Sequence, residues 1–199
     1  MDMVIKYIKA LVKLYGLVHK DKVVEIYNMQ NEDKIDDQVM QKVIKEKEEY
    51  SLNEICISIH KNYFVYLPIM VGDYFEEELK YKKGKPFYIP EKEELLKYTD
   101  PNYFEVNKEY EELFNFVKKM FLFGRKSKAD KICRKIQRYC KNFRAMENLH
   151  ILFEEQNIKF KNTKQAEELM QLIRNLANNT RIWQNNGYTP KELEEMEEY

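Results

Sequence analysis

The chain has 199 residues, a length that fits one large domain or two small ones and can bury a core without disulfides or metal. Its 34 Lys+Arg cancel 34 Asp+Glu, which excludes a globally basic nucleic-acid binder. A hydrophobic content of 44% excludes intrinsic disorder, and only five Gly and five Pro argue against a sandwich or barrel and for long helices.

In chain order, residues 3–14 place Val4, Ile5, Ile8, Leu11 and Val12 at three- and four-residue spacings, the apolar face of a helix that Gly16 ends. A second helix is predicted over about 20–30, with Val23, Val24, Ile26 and Tyr27 on its faces. A third starts at Asp36 as N-cap, with Ile35 and Met40 as a hydrophobic staple and Val39, Met40, Val43 and Ile44 as its buried stripe. After Tyr50 the period changes to two. Ile55, Ile57 and Ile59 alternate with polar positions, Lys61-Asn62 forms a turn, and Tyr63 to Leu67 is the return strand. Three short helices and a hairpin make the element order of a winged helix-turn-helix.

Residues 71–90 are less regular, with a short helix suggested by Tyr74, Phe75 and Leu79 and an extended Phe87-Tyr88-Ile89. Gly84-Lys85 lacks the first glycine and the Ser/Thr of a phosphate loop. From Pro90 onward the chain reads as helices: one bearing Leu95 and Leu96 and broken at Asp100-Pro101, then segments at about 107–122, 127–141, 144–156 and 163–178. The last begins at Thr189-Pro190-Lys191-Glu192, a complete capping box. The predicted fold is α+β, predominantly α. Its expected parts are a winged-helix-like domain at 1–70, an irregular aromatic connector at 71–106 and a helical domain at 107–199.

Zero net charge conceals a strong asymmetry. Between Asn115 and Arg144 stand eleven basic residues and one acid, Asp130, while the segment after Pro190 has five Glu and one Lys. On the helix at 127–141, Ile132, Ile136, Tyr139 and Cys140 fall on one side, with Phe143 continuing that side beyond it. The candidate binding residues are Arg125, Lys126, Lys128, Lys131, Arg134, Lys135, Arg138 and Lys141. Such a face suits phosphates, an acidic protein surface, or intramolecular neutralisation by neighbouring glutamates, and all three stay open. The third helix sets three Lys (Lys42, Lys45, Lys47) against five acids (Asp36, Asp37, Glu46, Glu48, Glu49), a poor balance for approaching a polyanion.

The histidines His19, His60 and His150 share no metal-ligand spacing, and Gly-x-Ser-x-Gly, dinucleotide-binding and His-Glu-x-x-His patterns are missing. No catalytic residue, metal or cofactor is expected. Carboxylate pairs such as Glu111-Glu112 are too common to be diagnostic, and the fifteen tyrosines are read first as core filling. Cys133 and Cys140, a heptad apart, and Cys56 read as reduced thiols. The start of the chain, Met1 to Lys6, has no continuous signal-peptide core, and no apolar run approaches the ~20 residues of a membrane span. A cytoplasmic protein without a membrane partner is expected.

The segment Asn178-Asn179-Thr180-Arg181-Ile182-Trp183-Gln184-Asn185-Asn186-Gly187-Tyr188-Thr189-Pro190-Lys191-Glu192-Leu193 resembles the end of a family of uncharacterised Firmicutes proteins. Some of those proteins carry a cysteine-rich SEC-C zinc tail. Leu14 to Val18, Glu25 to Asn28 and Gly84 to Pro90 are similar too. The resemblance implies a shared architecture and a phage or mobile-element setting, with no activity to carry over, and the zinc-binding cysteines are missing here. Read physically, Trp183 packs under a turn at Asn185-Asn186-Gly187, and Arg181 holds a nearby carbonyl or carboxylate. The expected function is a non-enzymatic regulatory or binding protein contacting DNA or RNA through the basic helix. The alternative is a protein-binding module, such as a mobile-element factor that engages or inhibits a host protein.

Overall fold

A computed structural model describes residues 2–49, 56–120, 126–141 and 146–197. The chain is predominantly α, of the α+β class. It divides into two units: Met1–Tyr103 with Trp183–Gly187, and Phe104–Ile182 with Tyr188–Tyr199.

In the first unit the leading apolar stripe forms α1 (Asp2–Tyr15), whose Val4, Ile8, Leu11 and Tyr15 are buried. Gly16 ends it at φ +75°, and its N–H donates to the Val12 carbonyl at 2.8 Å. The backbone then enters β1 (Leu17–His19), a strand that the hydrophobic pattern does not predict. Three residues are too few to show a period of two, and only pairing with a distant strand defines it. His19 caps α2 (Lys20–Gln30), its Nδ1 accepting from the Asp21 N–H at 3.3 Å. The start of α3 (Asp37–Glu49) is as expected, with the Asp36 carboxylate accepting from the Val39 N–H at 2.9 Å. Met40 and Val43 face inward, but Val39 is exposed, a correction to the predicted stripe. It lies beside Met40, and two neighbours about 100° apart on a helix cannot both centre on the same buried face.

The hairpin follows as β2 (Ile57–His60) and β3 (Tyr63–Tyr66), joined by Lys61 and Asn62, both at positive φ. That is the geometry a tight two-residue turn needs to match strand twist. Ile55 of the predicted strand lies outside the described residues. The sheet is antiparallel in the order β1-β3-β2, with Leu17 opposite Val65 and Ile57 opposite Tyr66.

Leu67, expected in the return strand, instead opens α4 (Leu67–Val71), with Pro68 in its first turn, where a missing N–H costs nothing. Next come α5 (Phe75–Lys82) and α6 (Lys92–Lys97). Residues 71–103, expected as part of a connector, belong to the first unit. Leu95 and Tyr98 are buried against the α1 core, and Phe75 joins Leu17, Val65 and Ile69 in a second cluster. Their scattered spacing in sequence hid a common burial.

The second unit contains α7 (Lys108–Met120), α8 (Lys126–Cys140), α9 (Leu149–Glu155), α10 (Thr163–Asn178) and α11 (Pro190–Glu197). Leu113, Val117, Ile132, Ile136, Leu152, Leu169, Ile173 and Leu176 form its core. The helix expected at 144–156 is described here as α9 from Leu149, and residues 142–145 lie outside the described ones. The α11 capping box is complete. The Glu192 N–H donates to Thr189 Oγ1 at 3.1 Å, and the Thr189 N–H donates to the Glu192 carboxylate at 2.9 Å. No described helix is long and apolar enough to cross a membrane.

Two outcomes follow from this packing. A Cβ added at Gly16 would lie 2.7 Å from the Trp183 ring and would have to adopt positive φ. Gly16→Ala is therefore expected to cost about 2 kcal/mol or more in urea unfolding followed by far-UV circular dichroism. Cys133 and Cys140 are buried, and desolvation pushes both thiols up to about 12, whereas Cys56 is exposed. A thiol-disulfide reagent should label one cysteine in the native chain and all three in urea.

Candidate nucleic-acid interface

The second unit buries one side of α8 and leaves the other to solvent because its apolar and basic residues alternate with helical period. Ala129, Ile132, Cys133, Ile136, Gln137 and Cys140 are buried. Lys126, Lys131, Arg134 and Arg138 are exposed. The spacing from Lys131 through Arg134 to Arg138 keeps these three on one outward strip, about 10 Å long at the helical rise per residue. Lys118 and Lys119, at the end of α7, are exposed as well.

The eight sequence candidates separate by what surrounds them. Arg125 lies outside the described residues. Arg134 donates to Asp130, the one acid of the helix, at 2.8 Å, and its guanidinium stacks 4.2 Å from the Phe104 ring centre. Lys135 is half-buried and reaches Glu155 at 3.4 Å. Lys128 is half-buried. Lys141 is half-buried too, and desolvation lowers its pKa, opposed by the attraction of Glu105. Lys126, Lys131 and Arg138 make no ion pair among the described residues. The intramolecular reading of the charge run thus accounts for Arg134 and Lys135 and leaves an exposed cationic set.

The helix dipole runs against this charge. The first turn of α8 contains Lys126 and Lys128 and no acid, so cations stand at the positive end of the macrodipole. Each such placement costs roughly 0.3–1 kcal/mol at the surface. An anion bound there would relieve that repulsion.

Among the described residues of the first unit, α3 offers no comparable face. Asp37 pairs with Lys20, which holds its carboxyl below the usual range, and Lys42 lies 3.9 Å from Glu46. At the hairpin tip, Lys61 is tied to Glu76 at 2.6 Å. His60 packs edge-on against Phe75. Among the described residues no group of three His, Cys, Asp or Glu is placed to hold a metal.

A second polar cluster, which no sequence motif marks, sits in the first unit. Phe75, Glu78 and Lys82 share the inward face of α5, with Glu78 1% and Lys82 6% exposed. Burial raises the Glu78 pKa, countered by the Gln184 hydrogen bond and by Lys82; burial lowers that of Lys82 to about 7, countered by Glu78. The partners come from residues 183–187, about a hundred positions away, so no local pattern could mark these charges as buried. Arg181 does hold carboxylates, Glu192 at 2.8 Å and Glu105 at 3.2 Å within the second unit.

No protein-family model, curated protein or solved structure matches this chain.

Proposed function

We propose that this is a non-enzymatic regulatory or binding protein that contacts nucleic acid through the outward face of α8. The carrying observation is the exposed set Lys126, Lys131 and Arg138, which has no ionic partner among the described residues. Phosphates placed along this strip would release counterions and relieve the dipole repulsion at the start of the helix. Arg134, placed over the Phe104 ring and already paired with Asp130, positions the strip more than it adds charge.

The order α1-β1-α2-α3-β2-β3, with strands arranged β1-β3-β2, supports reading the first unit as winged-helix-like. Its α3 is a weak candidate for groove contact because the segment 36–49 has five acids and three lysines. The contact is therefore assigned to α8.

An acidic protein surface is the second reading. Arg134 with Asp130 and Lys135 with Glu155 show that this face accommodates carboxylates. In the phage or mobile-element setting that the resemblance implies, such a partner would be a host protein.

Fluorescence anisotropy with labelled single- and double-stranded oligonucleotides, at low and near-physiological salt, tests the assignment. Wild-type affinity should fall linearly in log–log form with salt. Replacing Lys126, Lys131 and Arg138 by Gln should flatten the duplex slope by about 2–3, roughly 0.9 for each phosphate no longer neutralised. Lys135→Gln, at a position already paired with Glu155, should change it less. No binding at low salt would remove nucleic acid as the partner, and salt-sensitive capture of an acidic protein would favour the second reading.

A further inference from the structure

Residues 183–187 lie on the first unit as a strap with one apolar anchor, the Trp183 ring, which packs against the cluster of Leu17, Val65, Ile69 and Phe75 and edge-on to Tyr66; most of its other attachments are polar. Lys82 Nζ donates to the Trp183 carbonyl at 2.5 Å and to Asn186 Oδ1 at 3.2 Å. Lys85 Nζ donates to the Gln184 carbonyl at 2.9 Å and to Asn185 Oδ1 at 2.8 Å. Gln184 Nε2 donates to both Glu78 oxygens, at 2.7 and 3.0 Å, and Asn186 Nδ2 donates to the Lys85 carbonyl at 3.0 Å. Trp183 is the only large apolar side chain of the strap; it is half-buried, with its indole N–H donating to the Lys13 carbonyl at 3.2 Å. The Gln184 Oε1 atom is buried without a partner.

Segments with few apolar side chains to bury open locally at lower free energy than the core around them, and four of these five residues are Gln, Asn or Gly. The charges facing Lys82 decide when this one opens. Glu78 comes from its own helix and Lys85 from the following turn, while the α1 side presents the Tyr15 ring, 6.0 Å from the amine. The strap itself, Trp-Gln-Asn-Asn-Gly, contributes dipoles and no carboxylate. We propose that Trp183–Gly187 is a releasable strap latched by the buried Lys82 side chain, and that protonation of this amine loosens it.

The sign follows from linkage. Burial lowers the Lys82 amine from its ordinary 10.5 to about 7, so between those values the closed strap binds fewer protons than the open one. Acidification through that interval favours opening. Glu78 acts in the opposite sense: burial raises its carboxyl above 4.5, so the closed strap gains from acid in the range starting there. Between pH 9 and pH 7 the Lys82 linkage alone increases the opening constant by at least about tenfold. This inference is independent of the nucleic-acid assignment.

Trp183 is the only tryptophan in the chain, so its emission reports the strap directly. The full chain would be titrated with urea from pH 6 to pH 9, with Trp emission and far-UV circular dichroism recorded together. At pH 7 the emission should shift red before helix is lost, and this early shift should recede towards pH 9 by the stated factor. Lys82→Met should abolish that pH dependence. Glu78→Gln should retain it and move its lower limit to lower pH, because Lys82 loses the carboxylate that favours its charge. Coincident transitions at every pH, or an unchanged dependence in Lys82→Met, would overturn the latch. Should Lys82→Met fail to fold, an unshifted profile in Glu78→Gln would do the same.

Discussion

The backbone at Gly16 is the constraint on which the first unit is built. Its N–H closes the last turn of α1 on Val12, and its carbonyl accepts from the Tyr66 N–H at 2.8 Å, joining the end of the helix to the sheet. At φ +75° the chain reverses direction within one residue, so β1 can run antiparallel to β3. The missing side chain leaves the space into which the Trp183 ring packs. An L-residue at this point meets backbone strain and the indole together, so helix end, strand start and strap seat cannot be varied separately.

In the second unit the governing division is between two faces of α8. The buried face is held by aliphatic and thiol packing and by Gln137, whose amide donates to the Glu105 carbonyl at 2.6 Å. That packing fixes the rotation of the helix and therefore the direction of its basic residues. Stability alone would favour acids in the first turn, as α7 has with Glu109 and Glu111 and α5 has with Glu76, Glu77 and Glu78. Lys126 and Lys128 at the start of α8 run against that preference.

Features defined by neighbours in sequence are legible from the sequence alone. The α1 stripe, the Asp36 cap, the Lys61-Asn62 turn and the Thr189–Glu192 capping box each need a few consecutive residues, and the structure contains all four. The two faces of α8 are legible for the same reason. Features defined by partners far along the chain are not. β1 exists because Val65 lies opposite Leu17, and the burial of residues 71–103 depends on α1 and on the sheet. Lys135 and Lys141 look equivalent to Lys131 in sequence, and only Glu155 and Glu105 set them apart.

The cluster at Glu78 and Lys82 raises a further physical question, because apolar residues of similar size at such positions are often as stabilising as a buried charged pair. What apolar packing would not supply is register. The Trp183 ring in the space at Gly16 anchors one end of the strap, but the two consecutive asparagines beyond it are alike in size and polarity, so apolar contact would not distinguish them. Gln184 spans both oxygens of Glu78, and Asn186 lies between Lys82 Nζ and the Lys85 carbonyl. A one-residue slip breaks these bonds and leaves the Glu78 carboxyl and the Lys82 amine in the interior without the strap's hydrogen bonds. The left-handed conformations of Asn186 and Gly187 sharpen the same choice, since the strap turns at those two residues and Gly187 lies against Tyr15. The cluster thus fixes which five residues occupy the seat, and the cost of burying its charge is what leaves that seat able to open.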